Sequence, residues 1–94
     1  MDKAADDWTV YMLRCGDGSL YTGVAKDLAR RVAEHSAGRG AKYTRGRGPL
    51  EVVHVERGFA RGDALRRELA IKRMSKRAKV ELLLSVPQNR HPRA

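Results

Sequence analysis

The sequence predicts an α+β fold: a small, mainly antiparallel three-stranded sheet, made of a β-hairpin and a third strand, packed by about three helices in the order ββαβαα. Three observations lead to it. Two short β-forming runs flank a glycine-containing turn, a valine-rich run stands alone after Pro49, and the remaining segments carry apolar residues at helical spacing behind capping residues.

Trp8 to Cys15 is rich in β-formers, Gly16-Asp17-Gly18-Ser19 supplies turn chemistry, and Leu20 to Val24 returns as the second arm of a hairpin. Asp27 is an N-cap for a helix running to about Ser36, with Leu28, Val32 and His35 on one face and Gly38 just past its end. Ala37 to Pro49 is a basic loop. Leu50 to Arg57 sets Val53 and Val55 opposite charged or polar neighbours, as a third strand with one wet face would. Gly62-Asp63 caps a second helix, Ala64 to about Arg73, whose buried side would use Leu65 and Leu69, with Ile71 or Met74. Ser75 caps a third helix ending near Ser85, before Pro87. Residues 8–85 thus form one domain, with 1–7 and 86–94 as flexible termini.

Ninety-four residues give room for one core and no second domain. Twenty Lys plus Arg against eleven Asp plus Glu leave a charge of +9, which calls for a polyanionic partner. Nucleic acid and an anionic membrane surface would both satisfy that charge, but no run approaches the ~18 apolar residues of a spanning helix, and no membrane partner is expected. The acidic start, Met1 to Asp7, has neither the basic nor the apolar region of a secretory signal, so cytoplasmic residence is expected. Cys15, the only cysteine, rules out an internal disulfide and a Cys-rich zinc site, and reads as a small buried hydrophobe.

The residues that carry chemistry are tyrosines, cations and one carboxylate. Tyr11 and Tyr21 lie on the two hairpin arms, where alternation brings both rings to one face; an aromatic pair in the core would look the same. Arg31 precedes His35 by one helical turn and could hold a phosphate bidentately, or snorkel over Leu28. Glu68 is the only acid in the second helix after Asp63. Lys72 at i+4 makes it a surface salt-bridge residue, yet its place beside the buried face makes it a hard oxygen ligand for a divalent ion. Lys26, the cluster Arg39, Lys42, Arg45 and Arg47 around Tyr43, and the later Lys72 and Lys76 are candidate nucleic-acid contacts, since an aromatic among cations suits a base and its backbone; solvated faces are the plain alternative.

Val10-Tyr11 followed ten residues later by Tyr21-Thr22-Gly23 resembles the paired signature of the GIY-YIG nuclease superfamily. Ala25 to Arg31 resembles that family's helix with the catalytic arginine, and Leu65 to Lys72 its metal-ligand helix. The likeness runs from Trp8 to about Leu84 and is greatest to small bacterial stand-alone members. Lys42-Tyr43-Thr44-Arg45 and Pro49 also resemble the nuclease domain of structure-specific eukaryotic enzymes. The resemblance implies an endonuclease hydrolysing DNA phosphodiester bonds with one Mg2+ or Mn2+, in DNA repair or recombination, on branched or single-stranded DNA rather than RNA. It implies that Tyr11 and Tyr21 sit at the active centre, Arg31 binds the scissile phosphate, His35 is a further polar site residue, and Glu68 holds the metal. A non-catalytic nucleic-acid-binding module on the same fold is the alternative. Three departures stand out: Thr9-Val10-Tyr11 replaces Gly-Ile-Tyr, Val24 stands where several relatives have lysine, and the sole asparagine, Asn89, is in the tail. By that resemblance one phosphate contact would be absent, or supplied by Lys26 or Lys42.

Overall fold

A computed structural model describes residues 7–85. The termini expected to be flexible, and Pro87, lie outside the described residues apart from Asp7. The strands are β1 (Trp8–Arg14), β2 (Leu20–Ala25) and β3 (Glu51–Phe59); the helices are α1 (Leu28–Ser36), α2 (Arg61–Lys72) and α3 (Lys76–Ser85). Both strand pairings are antiparallel and the sheet order is β2-β1-β3. The α+β prediction holds, element for element, with one addition: the basic loop contains a single 3-10 turn, Lys42–Thr44.

The central place of β1 explains its sequence. Val10 and Met12 pack with Ala64 and Ile71 of α2 on one face of the sheet, while Tyr11 and Leu13 pack with Ala25, Leu28 and Val32 on the other. A strand covered on both faces has no wet side to alternate with, so Val10-Tyr11-Met12-Leu13 reads as one apolar run. Cys15 at its end is buried and free.

The capping residues behave as their chemistry requires at two starts. Asp27 accepts the Arg30 backbone N–H at 3.0 Å, and Ser75 accepts that of Ala78 at 3.0 Å. At α2 the expectation fails. The helix begins at Arg61 behind Ala60, which makes no side-chain cap, and Asp63 sits inside the first turn, where a carboxylate is favoured by the exposed N–H groups, paired with Arg66.

The buried side of α2 also differs from the expected one. Leu65 and Leu69 are exposed, and Ala64 and Ile71 are fully buried. Ala64 lets the helix approach Val10 and Met12 closely, and with Ala64 inward the spacing places Glu68 between the two buried residues on the same stripe.

The face of β3 expected to be wet, that of His54 and Glu56, is instead covered. His54 and Glu56 lie opposite Met12 and Val10 and face α2, because Arg67 of α2 reaches down to them. Arg67 donates to both Glu56 oxygens at 2.8 and 2.9 Å, and His54 Nε2–H donates at 2.8 Å. Burial pushes the Glu56 carboxyl up, but the hydrogen bonds from Arg67 and His54 outweigh that and hold it at about 2. Its contribution to stability is therefore complete above about pH 4.5 and is lost as the pH falls towards about 2. Arg67→Ala is expected to destabilise the fold by about 2–3 kcal/mol, the scale for leaving a desolvated charge unpaired, and to flatten the pH dependence in that window. Urea melts at pH 7 and pH 3 check both; equal losses at the two pH values would show that Glu56 is not the group involved.

Candidate active site

Four elements meet at the β2 edge of the sheet. Tyr11 lies opposite Gly23, and Tyr21 opposite Leu13, so the two tyrosines are diagonal neighbours on the α1 face, with ring centroids 6.4 Å apart. Helix α1 brings His35 to both: its ring centroid is 6.1 Å from that of Tyr11 and 5.2 Å from that of Tyr21.

Tyr11 and His35 are fully buried and hydrogen-bonded, Oη to Nε2, at 2.8 Å. The Ala41 backbone N–H, which can only donate, reaches His35 Nδ1 at 3.2 Å. Nδ1 is therefore the bare nitrogen, Nε2 carries the proton, and His35 donates to Tyr11. Thr44 closes the arrangement: its Oγ1 lies 3.1 Å from Nδ1 and donates to the Ala41 carbonyl at 2.9 Å. Burial lowers the His35 pKa, and the Arg31 charge lowers it further, which keeps the ring neutral. Burial raises the Tyr11 pKa well above the ordinary phenol value, Tyr21 adds to the rise, and a hydrogen bond from Arg31 opposes it. Tyr11 is thus a neutral phenol. Its oxygen accepts from His35, so its proton points elsewhere.

Two glycines make this packing possible. A Cβ on Gly23 would lie 2.6 Å from Tyr11 Oη and 3.0 Å from the Tyr21 ring, and one on Gly40 would lie 2.1 Å from His35 Nδ1. Gly23→Ala is expected to push the Tyr11 hydroxyl off His35 and to destabilise the fold by about 1–3 kcal/mol, the cost of overpacking. Nitrogen chemical shifts of the His35 ring read the loss of the bond. Shifts and stability both matching the wild type would show that the cluster tolerates the methyl.

Arg31 is about two-fifths exposed; its Nη1 donates to Glu34 at 2.9 Å while the guanidinium also reaches Tyr11. Glu68, whose side chain is 18% exposed, stands near enough to Tyr11 to raise its pKa and is paired with Lys72 at 3.1 Å. The Lys72 ammonium sits 5.7 Å from the Tyr21 ring centroid. The exposed ring of Tyr43 also lies 5.9 Å from that of Tyr21, with the Arg47 guanidinium 4.4 Å from its centroid. Arg47 is held in turn by Asp17 of the hairpin turn at 2.6 Å.

The structure thus brings Tyr11, Tyr21, Arg31, His35 and Glu68 into one cluster, with Tyr43, Arg47 and Lys72 around it. Lys42 and Arg45 flank Tyr43 on the exposed turn, and Arg39 is exposed just before it. Two expected contacts are more distant. Lys26 shares a shallow cleft with Arg30 and Arg31 but holds its ammonium 5.9 Å from the Trp8 ring, and Lys76 donates to the Gly18 carbonyl at 3.0 Å. Val24 packs against the Val10 and Met12 cluster, so no cation comes from that position. An open groove of about 890 Å3 between α1 and β3 is lined by Leu28, Val32, Val55 and their neighbours and by none of the clustered residues. Within the cluster Tyr11 and His35 are fully buried, and Arg31, Lys72 and Tyr43 reach solvent.

Among the described residues no group of three or more His, Cys, Asp or Glu could hold a metal ion. A lone carboxylate suits Mg2+ or Mn2+, which keep several waters and complete their shells with substrate phosphate, and does not suit zinc or calcium cages. The donor set therefore fits a divalent ion shared with a phosphate.

A family model for the GIY-YIG catalytic domain matches residues 7–81. A UPF0213 protein of Natronomonas pharaonis is 54% identical over 86% of this chain and 94% of its own length. One from Cupriavidus pinatubonensis is 47% identical over 86% and 90%. The solution structure of a UPF0213 protein from Bacillus halodurans, 44% identical, superposes with a TM-score of 0.55 over 82% of each chain. A second solution structure, of a protein from E. faecalis, is 33% identical with a TM-score of 0.56, covering 97% of this chain and 100% of its own.

Proposed function

This chain belongs to the GIY-YIG catalytic domain family, as one of its small single-domain members, and from that premise we propose that it is a metal-dependent endonuclease that hydrolyses DNA phosphodiester bonds. One observation carries the proposal: side chains from β1, β2, α1 and α2, far apart in sequence, converge in one cluster that holds a tyrosine pair, an arginine and, in Glu68, a carboxylate, the groups that phosphodiester hydrolysis needs. No helix among the described residues is long and apolar enough to cross a membrane.

Glu68 would hold the metal, which would supply positive charge to stabilise the leaving oxygen. Arg31 neutralises the non-bridging oxygens of the scissile phosphate as charge builds on them. The Tyr11 proton, turned away from His35, is free to donate within the cluster, and Tyr21 orients the attacking water. Tyr43, Arg45 and Arg47 grip the flanking strand. An exposed aromatic, Tyr43, beside the cluster suits DNA with unpaired or branched regions, and a role in repair or recombination follows from such substrates.

Gel assays with labelled flapped, branched and single-stranded DNA, with and without Mn2+, test the proposal. Mn2+-dependent cutting supports it. Tight binding of all substrates without cutting would leave a non-catalytic binding module. Because Arg47 is already tied to Asp17, Arg45 is the loop cation most available to phosphate: Arg45→Glu is expected to lower the log–log salt slope of DNA binding by ~0.9 for each phosphate no longer neutralised. An unchanged slope would take the loop out of the interface.

A further inference from the structure

Glu68 is engaged before any metal arrives. Lys72, one turn further along α2, sets Nζ 3.1 Å from Glu68 Oε2, and the same ammonium faces the Tyr21 ring at 5.7 Å. The lysine is the more exposed partner, 47% against 18%, so its charge lies towards the solvent side of the carboxylate, from which an ion must enter. Two cations on one carboxylate repel, and the other acid bonded within the cluster, Glu34, is already engaged by Arg31 at 2.9 Å.

Resting on the reading of Glu68 as the metal ligand, we propose that Lys72 is the counter-ion the metal must displace, and that this exchange couples metal binding to DNA binding. Without substrate, the ammonium competes for Glu68 and keeps the metal site weak. When metal takes the carboxylate, Lys72 retains the Tyr21 face as its other partner and stays beside the cluster, a cation without its anion. A DNA phosphate supplies that anion. Binding of either one thus removes an obstacle to the other, and the coupling is reciprocal by linkage. Lys72 acts here through Glu68, as a positioning residue.

The test is an NMR titration of the intact chain with Mn2+ alone, following paramagnetic broadening around Tyr21 and Glu68, on wild type, Lys72→Met, Lys72→Arg and Glu68→Gln. Lys72→Met keeps the aliphatic stem and removes the charge; it is expected to tighten Mn2+ binding about threefold, the scale of one partly exposed ion pair. Lys72→Arg should keep the wild-type affinity. Mg2+ should shift the Lys72 side-chain resonances in the wild type as the bridge opens. If Lys72→Met binds Mn2+ no tighter than wild type, or Mg2+ leaves the Lys72 resonances unmoved, the exchange does not occur. If Glu68→Gln leaves the broadening unchanged, Glu68 is not the ligand, and the reading on which the exchange rests fails with it.

Discussion

Glu68→Gln is expected to reduce Mn2+-dependent cleavage by ~1000-fold or more while leaving the melting temperature within a few degrees of wild type. The two halves of that expectation come from different magnitudes. A bound divalent ion contributes several kcal/mol of charge stabilisation in the transition state, and each ~1.4 kcal/mol is tenfold in rate. The structural alternative, that Glu68 serves only its bridge to Lys72, is worth far less: an i,i+4 pair with one half-exposed partner stabilises by ~0.3–0.5 kcal/mol. Glutamine keeps the volume beside Ala64 and Ile71, so packing does not confound the result. Cleavage at the wild-type rate would reduce Glu68 to that bridge and remove the metal assignment.

The sequence carried the order and type of the elements because those depend on local chemistry. Asp27 and Ser75 cap their helices with their own side chains, and the two-sided burial of β1 leaves a plain apolar run. The face of α2 was not legible, for a physical reason. Leu65 and Leu69 form one stripe and Ala64, Glu68 and Ile71 another; hydropathy favours the first, whereas close packing on Val10 and Met12 favours small Ala64. The choice between them is made by the sheet. His54 and Glu56 misled in the same way, since what makes an inward carboxylate tolerable is Arg67, eleven residues on and in another element. In the candidate site the principal side chains were nameable from pattern and resemblance. Their supports were not. The Ala41 N–H and the Thr44 hydroxyl fix the His35 tautomer, and Gly23 and Gly40 matter for atoms they lack. No spacing rule marks a glycine that is needed because a tyrosine hydroxyl, twelve residues away, occupies the place of its Cβ.

Arg31→Ala and Arg30→Ala, compared side by side, are expected to separate catalysis from general attraction. The two arginines are adjacent, carry the same charge and both approach Glu34, Arg31 at 2.9 Å and Arg30 at 3.6 Å. They differ in direction. The Arg30 side chain is 78% exposed, whereas the Arg31 side chain is 38% exposed and reaches the Tyr11 hydroxyl within the cluster. A group used mainly in the transition state lowers the catalytic rate far more than the affinity when it is removed. Arg31→Ala is therefore expected to cut the cleavage rate by ~100-fold or more, the scale for losing one electrostatic donor, and to change DNA affinity only a few-fold. Arg30→Ala removes the same unit of charge from the same helix and should reproduce the few-fold loss of affinity without the loss in rate. Single-turnover cleavage at saturating protein, paired with binding measured in Ca2+ or without metal, reads the two quantities separately. Equal and modest effects of both substitutions would make Arg31 one more surface cation, and the clustering of Tyr11, Tyr21, His35 and Glu68 around it would then have to be explained without a phosphate.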